Sequence, residues 1–198
     1  MCSWCWAFRP TLTRFLKQLP SDILRTKLLG GLAPDTDQAM DVSMRNRLQE
    51  TWGNIQKKLP ETQFNYDFWV KNVPRRSTYP ACRAVIAARE IDQTHEDKMI
   101  FAIQQGYYLR ALNPSDDDTL IKLAAEIGIN QSQFSTLFYS DTVANQLFDE
   151  IALSRSMGAR SFPSLILQVN SGYWPVAIDY YDENVMLEAV FHLVPESY

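Results

Sequence analysis

Hydrophobic spacing changes character twice along the chain, and this restricts the fold more than any other feature. From Asp41 to about Gly158 the apolar residues recur at helical intervals: Met44, Leu48, Trp52 and Ile55 first, and Val143, Leu147 and Ile151 last. After Gly158 the pattern becomes extended. Leu165–Val169 and Tyr173–Ile178 flank Asn170-Ser171-Gly172, which predicts a β-hairpin, and Glu183–Leu193 returns to amphipathic spacing and predicts a closing helix. A block of helices so placed reads as an insertion. We expect one domain formed by residues 1–35 and 158–198, and a second, helical one formed by 36–157.

Within the block, the spacing predicts helices near 80–90 and 96–112, the latter on Ile100, Ile103, Tyr107 and Ala111. Asp116-Asp117-Asp118 starts another, since acidic residues in a first turn complement the helix dipole. As a calcium loop it fails: Ile121 and Ile127 stand where Gly and Glu are required. A short helix follows Asn130, and Asp141 is expected to cap the last. The aromatic concentration at Phe64, Tyr66, Phe68 and Trp69 reads as core filling or as the floor of a groove. Lys27-Leu28-Leu29-Gly30-Gly31-Leu32 suits a brief buried strand.

The chemistry concentrates at the start of the chain. Cys2-Ser3-Trp4-Cys5 runs into a helix over 6–19 that carries Phe8, Leu12, Phe15, Leu16 and Leu19 and stops at Pro20. Two thiols separated by two residues can share one helical turn and close a small disulfide ring. The first then faces unsatisfied backbone N–H groups that favour its thiolate. Cys2 is the expected attacking sulfur and Cys5 the resolving one. Ser3 and Trp4 are uncharged, so the redox poise stays open.

Composition excludes other classes. With 19 basic and 23 acidic residues, net charge −4 and no long basic block, the chain is not expected to bind nucleic acid. No apolar run reaches the roughly 20 residues that span a bilayer, so no membrane partner is expected. Three cysteines do not form a structural disulfide framework, which favours the cytoplasm. Cys82 reads as a small buried residue at a helix start, with a third redox thiol as the minority reading. His95 and His192 fall in helical stretches and are given no catalytic work.

A CxxC opening a helix, a long helical middle, Gly30-Gly31-Leu32, and Ser161-Phe162-Pro163 before a hairpin and last helix together resemble the DsbA-like family of the thioredoxin superfamily. The likeness is to its bacterial branch of predicted protein-disulfide isomerases, and it covers the whole chain. It implies an α/β thioredoxin-like fold with a large helical insertion. It also implies a thiol-disulfide oxidoreductase or isomerase acting on protein or peptide cysteines through a mixed disulfide, with no cofactor and no metal. Pro163 would be the family's cis-proline, lying opposite the CxxC. Ser161, Phe162 and Pro163, with Trp4 and Trp6, would contact an extended substrate. Glutathione or a redox protein would recycle the pair.

Two departures stand out. In that fold a central strand precedes the CxxC, whereas Met1 directly precedes Cys2 here, so the native protein is expected to begin upstream. A leader removed there would make the setting periplasmic. A strongly oxidising relative carries histidine between its cysteines, where this chain has Ser3 and Trp4, so its potential is not carried over. Two other classes compete with this reading. Glutathione-dependent transferases and isomerases of the kappa and chromene-carboxylate type share the insertion but lack the intact pair. A metal held by Cys2, Cys5 and Cys82 would want a fourth ligand.

Overall fold

The first helix is set by its ends and by one apolar stripe. In the computed structural model, which describes residues 1–194, α1 spans Ser3–Gln18 and buries Ala7, Phe8, Thr11 and Phe15. Pro20 forces the preceding Leu19 into an extended conformation (ψ 135°), which ends the helix. Pro10 sits inside α1, where it removes one ladder hydrogen bond at a cost of about 3 kcal/mol in an ordinary helix. Its ring faces solvent, and buried Phe8 and Phe15 anchor the helix on either side of it.

The chain divides into two compact units, one formed by Cys2–Gly30 with the chain from Ile151 on, the other by Gly31–Glu150 with Met1. In the first unit, β1 (Leu165–Val169) and β2 (Gly172–Val176) pair antiparallel, Leu165 opposite Val176 and Val169 opposite Gly172. Asn170 takes the left-handed conformation (φ 53°) at the turn, which Asn tolerates better than most residues. Helix α9 (Glu183–Leu193) follows, with Asp182 as its N-cap accepting from the Asn184 N–H. Phe8 and Phe15 pack with Val176, Met186, Leu187 and Val190 to form this unit's core, with Leu12, Leu16, Leu165, Leu167 and Tyr180 around it.

The second unit is helical: α2 (Val42–Lys58), α3 (Phe68–Lys71), α4 (Tyr79–Ile91), α5 (His95–Tyr108), α6 (Asp117–Glu126), α7 (Gln131–Phe138) and most of α8 (Asp141–Ser156). Asp41 caps α2 by accepting from the Met44 N–H at 2.8 Å, and Asn130 caps α7 in the same way through Gln133. Trp52 is fully buried, stacked on Phe64 at 4.7 Å and edge-on to Tyr66, Tyr107 and Tyr108. The aromatic concentration is therefore core filling rather than a groove floor, each pair adding roughly 0.5–1.5 kcal/mol beyond area burial. Alanines 84, 87 and 88 let neighbouring helices approach α4 closely. At its far end Arg89 is held between Glu96, at 3.0 Å, and Glu150, all three side chains nearly buried.

Three local expectations are corrected. Residues 27–32 form no strand of the described sheet, which contains only β1 and β2. Gly31 turns into the left-handed region (φ 56°), which breaks an extended path, and Leu24 and Leu32 are exposed. The helix read as 96–112 ends at Tyr108, because the Arg110 N–H turns back to the Gln105 carbonyl and Ala111 adopts φ 56°. Ser140, rather than Asp141, caps α8: its Oγ accepts from the Val143 N–H and its carbonyl from the Ala144 N–H. Asp141 occupies the first helical position, where its charge still complements the dipole.

Candidate active site

The CxxC spacing coincides with a helix-capping relation. Cys2, extended at φ −104° and ψ 114°, is the N-cap of α1, and Cys5 is the third helical residue, whose N–H a capping side chain reaches. The Cys2 Sγ accepts from the Cys5 N–H at 3.1 Å, and the Cys2 carbonyl accepts from the N–H groups of Cys5 and Trp6 at 3.2 and 3.3 Å. A sulfur thus stands where an Asp or Ser oxygen usually stands, at the positive end of the helix. Both cysteines are free thiols, partly accessible.

This arrangement separates the two thiols. A hydrogen bond from the Cys5 thiol, assisted by the backbone N–H groups of Cys5 and Trp4, holds the Cys2 thiol below its ordinary value, against the opposing effect of burial. The same hydrogen bond, then burial, then the charge on Cys2 push Cys5 far up. The split favours a thiolate at Cys2 and a protonated thiol at Cys5. Cys82, in the first turn of α4, is pushed up to about 11 by burial and is the least reactive type of thiol at neutral pH.

Trp4 and Trp6 are half-buried on the first turns of α1. The Trp4 ring meets Tyr180 edge-on at 5.1 Å, and Tyr180 also meets Phe8 at 5.6 Å. Burial, followed by the charges of Cys2 and Cys5, pushes the Tyr180 phenol up to about 12, so it stays neutral beside the pair. Sequence reasoning missed Tyr180. Its only signal was the loop Asp179-Tyr180-Tyr181-Asp182 ahead of α9, which nothing local connects to the cysteines.

Of the other candidate residues, Ser161 and Phe162 are exposed and Pro163 is half-buried. The Phe162–Pro163 peptide bond is cis. The Ser164 Oγ donates to the Ser161 carbonyl at 2.6 Å, closing the turn that leads into β1. The Phe162 ring lies flush against Gly30: a Cβ there would stand 2.3 Å from Cε1 and 2.6 Å from Cζ. Gly30 is thus the residue that admits the Phe162 ring, a second role that the sequence reading did not assign.

Among the described residues, no group of three or more His, Cys, Asp or Glu side chains is placed to hold a metal ion. No described helix is long and apolar enough to cross a membrane.

Residues 1–179 match the family model of the DSBA-like thioredoxin domain. Among solved structures, the chain is similar to a candidate protein disulfide isomerase from Nitrosomonas europaea, with TM-score 0.81 and 21% identity over 97% of this chain and 92% of the other. It is also similar to the cytosolic disulfide reductase DsbM from Pseudomonas aeruginosa, with TM-score 0.76 and 19% identity over 98% and 96% of the two chains. The same Pseudomonas protein with GSH gives TM-score 0.74 and 18% identity over 98% and 95%. No curated protein matches in sequence. At these identities the structural likeness establishes the fold, a thioredoxin fold with a helical insertion, while the family model, spanning most of the sequence, establishes kinship: the chain belongs to the DSBA-like thioredoxin domain family and is a disulfide oxidoreductase.

Proposed function

We propose that Cys2 and Cys5 are the dithiol–disulfide couple of this oxidoreductase, and that it works on cysteine-containing polypeptides through a mixed disulfide. The observation that carries the reading is the hydrogen bonding around Cys2, whose Sγ accepts the Cys5 N–H at 3.1 Å at the head of α1. In the reducing direction Cys2 loses its proton to solvent and the thiolate attacks one sulfur of a substrate disulfide, while the other substrate sulfur leaves as a thiolate and takes a proton from solvent. Cys5 then gives up its proton and attacks the Cys2 sulfur, releasing the second substrate thiol and leaving Cys2–Cys5 oxidised. Two electrons and two protons pass to the substrate. Ser161, Phe162 and Pro163 offer backbone and an exposed ring to an extended chain, and Trp4 and Trp6 add apolar surface.

The unit containing α1, β1, β2 and α9 is the thioredoxin-like part in this reading, and the helical unit is the insertion. Glutathione is the small thiol that returns the pair to the dithiol state. Support comes from the Pseudomonas neighbour, named as a cytosolic disulfide reductase and solved with GSH, and the same likeness supports a cytoplasmic setting.

Trapping tests the division of labour. Cys5→Ser incubated with a disulfide-bonded peptide should accumulate a mixed disulfide at Cys2, visible as added mass and reversed by dithiothreitol. Cys2→Ser should form none and should lose turnover. Trapping at Cys82 instead, or wild-type turnover in Cys2→Ser, would overturn the assignment.

A further inference from the structure

Trp4, one of the two residues between the cysteines, is held from outside the motif. Trp4, Phe8 and Thr11 lie at i, i+4 and i+7 of α1 and so form one stripe of the helix. Tyr180 runs along that stripe: its ring meets Trp4 at 5.1 Å and Phe8 at 5.6 Å, both edge-on, while its carbonyl accepts from the Thr11 Oγ1–H at 2.7 Å. The loop carrying Tyr180 is fixed in turn. The Asp179 carboxylate accepts from the N–H groups of Tyr181 and Asp182 at 2.7 and 2.9 Å, and Arg14 donates to the Tyr181 carbonyl at 3.2 Å and to Glu183 at 2.8 Å. The backbone that carries the ring is therefore anchored independently of Trp4.

We propose that Tyr180 is a positioning residue for the redox pair, its ring clamping Trp4 and thereby setting the balance between the dithiol and disulfide forms of the Cys2–Cys5 turn. The inference rests on the reading of Cys2 and Cys5 as a redox couple. Trp4 projects from the backbone that joins the two cysteines. Closing the disulfide draws the sulfurs to about 2.05 Å and replaces the Cys5-to-Cys2 hydrogen bonds, so this turn must readjust. A ring clamped on Trp4 cannot favour both geometries equally. The ring is the active element and the phenol oxygen is not: Tyr180 remains protonated beside the thiolate.

The exchange that reports this is Cys2–SH + Cys5–SH + GSSG giving Cys2–S–S–Cys5 + 2 GSH, with two electrons and two protons passing to glutathione. Its equilibrium constant is measured for the wild type, Tyr180→Phe, Tyr180→Leu, Trp4→Ala and the Trp4→Ala/Tyr180→Leu double variant, with circular dichroism verifying the fold of each. An aromatic pair contributes enough to move the constant by about two- to tenfold, or about 9 to 30 mV. Tyr180→Phe should match the wild type. Tyr180→Leu, which keeps apolar volume against Phe8, should shift the constant by that factor, and the shift should vanish in the Trp4→Ala background. An unshifted Tyr180→Leu, a shift of equal size without Trp4, or a Tyr180→Phe value as displaced as Tyr180→Leu would each overturn the clamp. If the wild type itself shows no exchange, the redox reading fails and takes the clamp with it; exchange in the wild type with no shift in Tyr180→Leu removes the clamp alone.

Discussion

Gly30→Ala separates the fold from the proposed substrate surface by adding a single methyl. The added Cβ would lie 2.3 Å from the Phe162 Cε1 and 2.6 Å from its Cζ, where ordinary contact begins at 3.4 Å, so the ring must retreat by more than 1 Å. Phe162 is 38% exposed and the atoms in conflict are the far end of its side chain, so the ring can swing outward rather than displace backbone. If it only slides, the cost is about 1 kcal/mol, the low end for overpacking. If it leaves the surface altogether, the lost apolar burial raises this to roughly 2.5 kcal/mol. For a chain of this size, that lowers Tm by about 2 to 10 °C.

Reduction of a disulfide-bonded peptide should slow in Gly30→Ala, because the proposed Phe162 contact is displaced, while exchange with glutathione, which does not need an extended surface, should be retained. Thermal denaturation and the two exchange rates are measured for Gly30→Ala, Phe162→Ala and the double variant. With the ring gone, the added methyl should cost nothing. An equal destabilisation by Gly30→Ala in the Phe162→Ala background would refute the clash, and an unchanged peptide rate in both single variants would remove Phe162 from the substrate surface.

Arg89→Met removes the guanidinium held between Glu96 and Glu150, whose side chains are 7% and 10% exposed, and should destabilise by about 3–5 kcal/mol in urea unfolding at neutral pH. A loss below about 1 kcal/mol would contradict the pairing. The depressed Cys2 thiol contributes stability to the dithiol form that builds up as pH rises toward the ordinary thiol value near 8.5 and is lost as pH falls through the lower Cys2 value, while the raised Cys5 thiol works against the folded form above about 8.5. Alkylation at neutral pH followed by mass spectrometry should therefore modify Cys2 ahead of Cys82, which burial pushes up to about 11, and equal rates would show that the N-cap does not activate Cys2.

What the sequence revealed and what it hid divides along the range of the interactions involved. The bounds of α9 and the hairpin turn at Asn170 depend on residues a few positions apart, and local spacing was enough to read them. The closeness of Cys2 and Cys5 is legible for the same reason, since residues three apart share one helical turn. Pro10 escaped notice because its effect on α1 is overridden by the burial of Phe8 and Phe15, a tertiary term. Residues 27–32 have strand-like composition, but composition does not supply a ladder, and the left-handed Gly31 closes the extended path. Tyr180 against Trp4 and Gly30 against Phe162 join distant parts of the chain, so no local pattern could have predicted either contact.

The central claim is that Cys2 and Cys5 interconvert as one redox couple, and equilibration in glutathione buffers tests it most directly, with Trp4 and Trp6 fluorescence following formation of the bond. The account predicts a single two-electron transition between about −120 and −270 mV, the span of CxxC oxidoreductases, that is absent in Cys2→Ser and in Cys5→Ser. A wild-type protein that shows no transition across that span, or one whose transition survives replacement of Cys2, would contradict it.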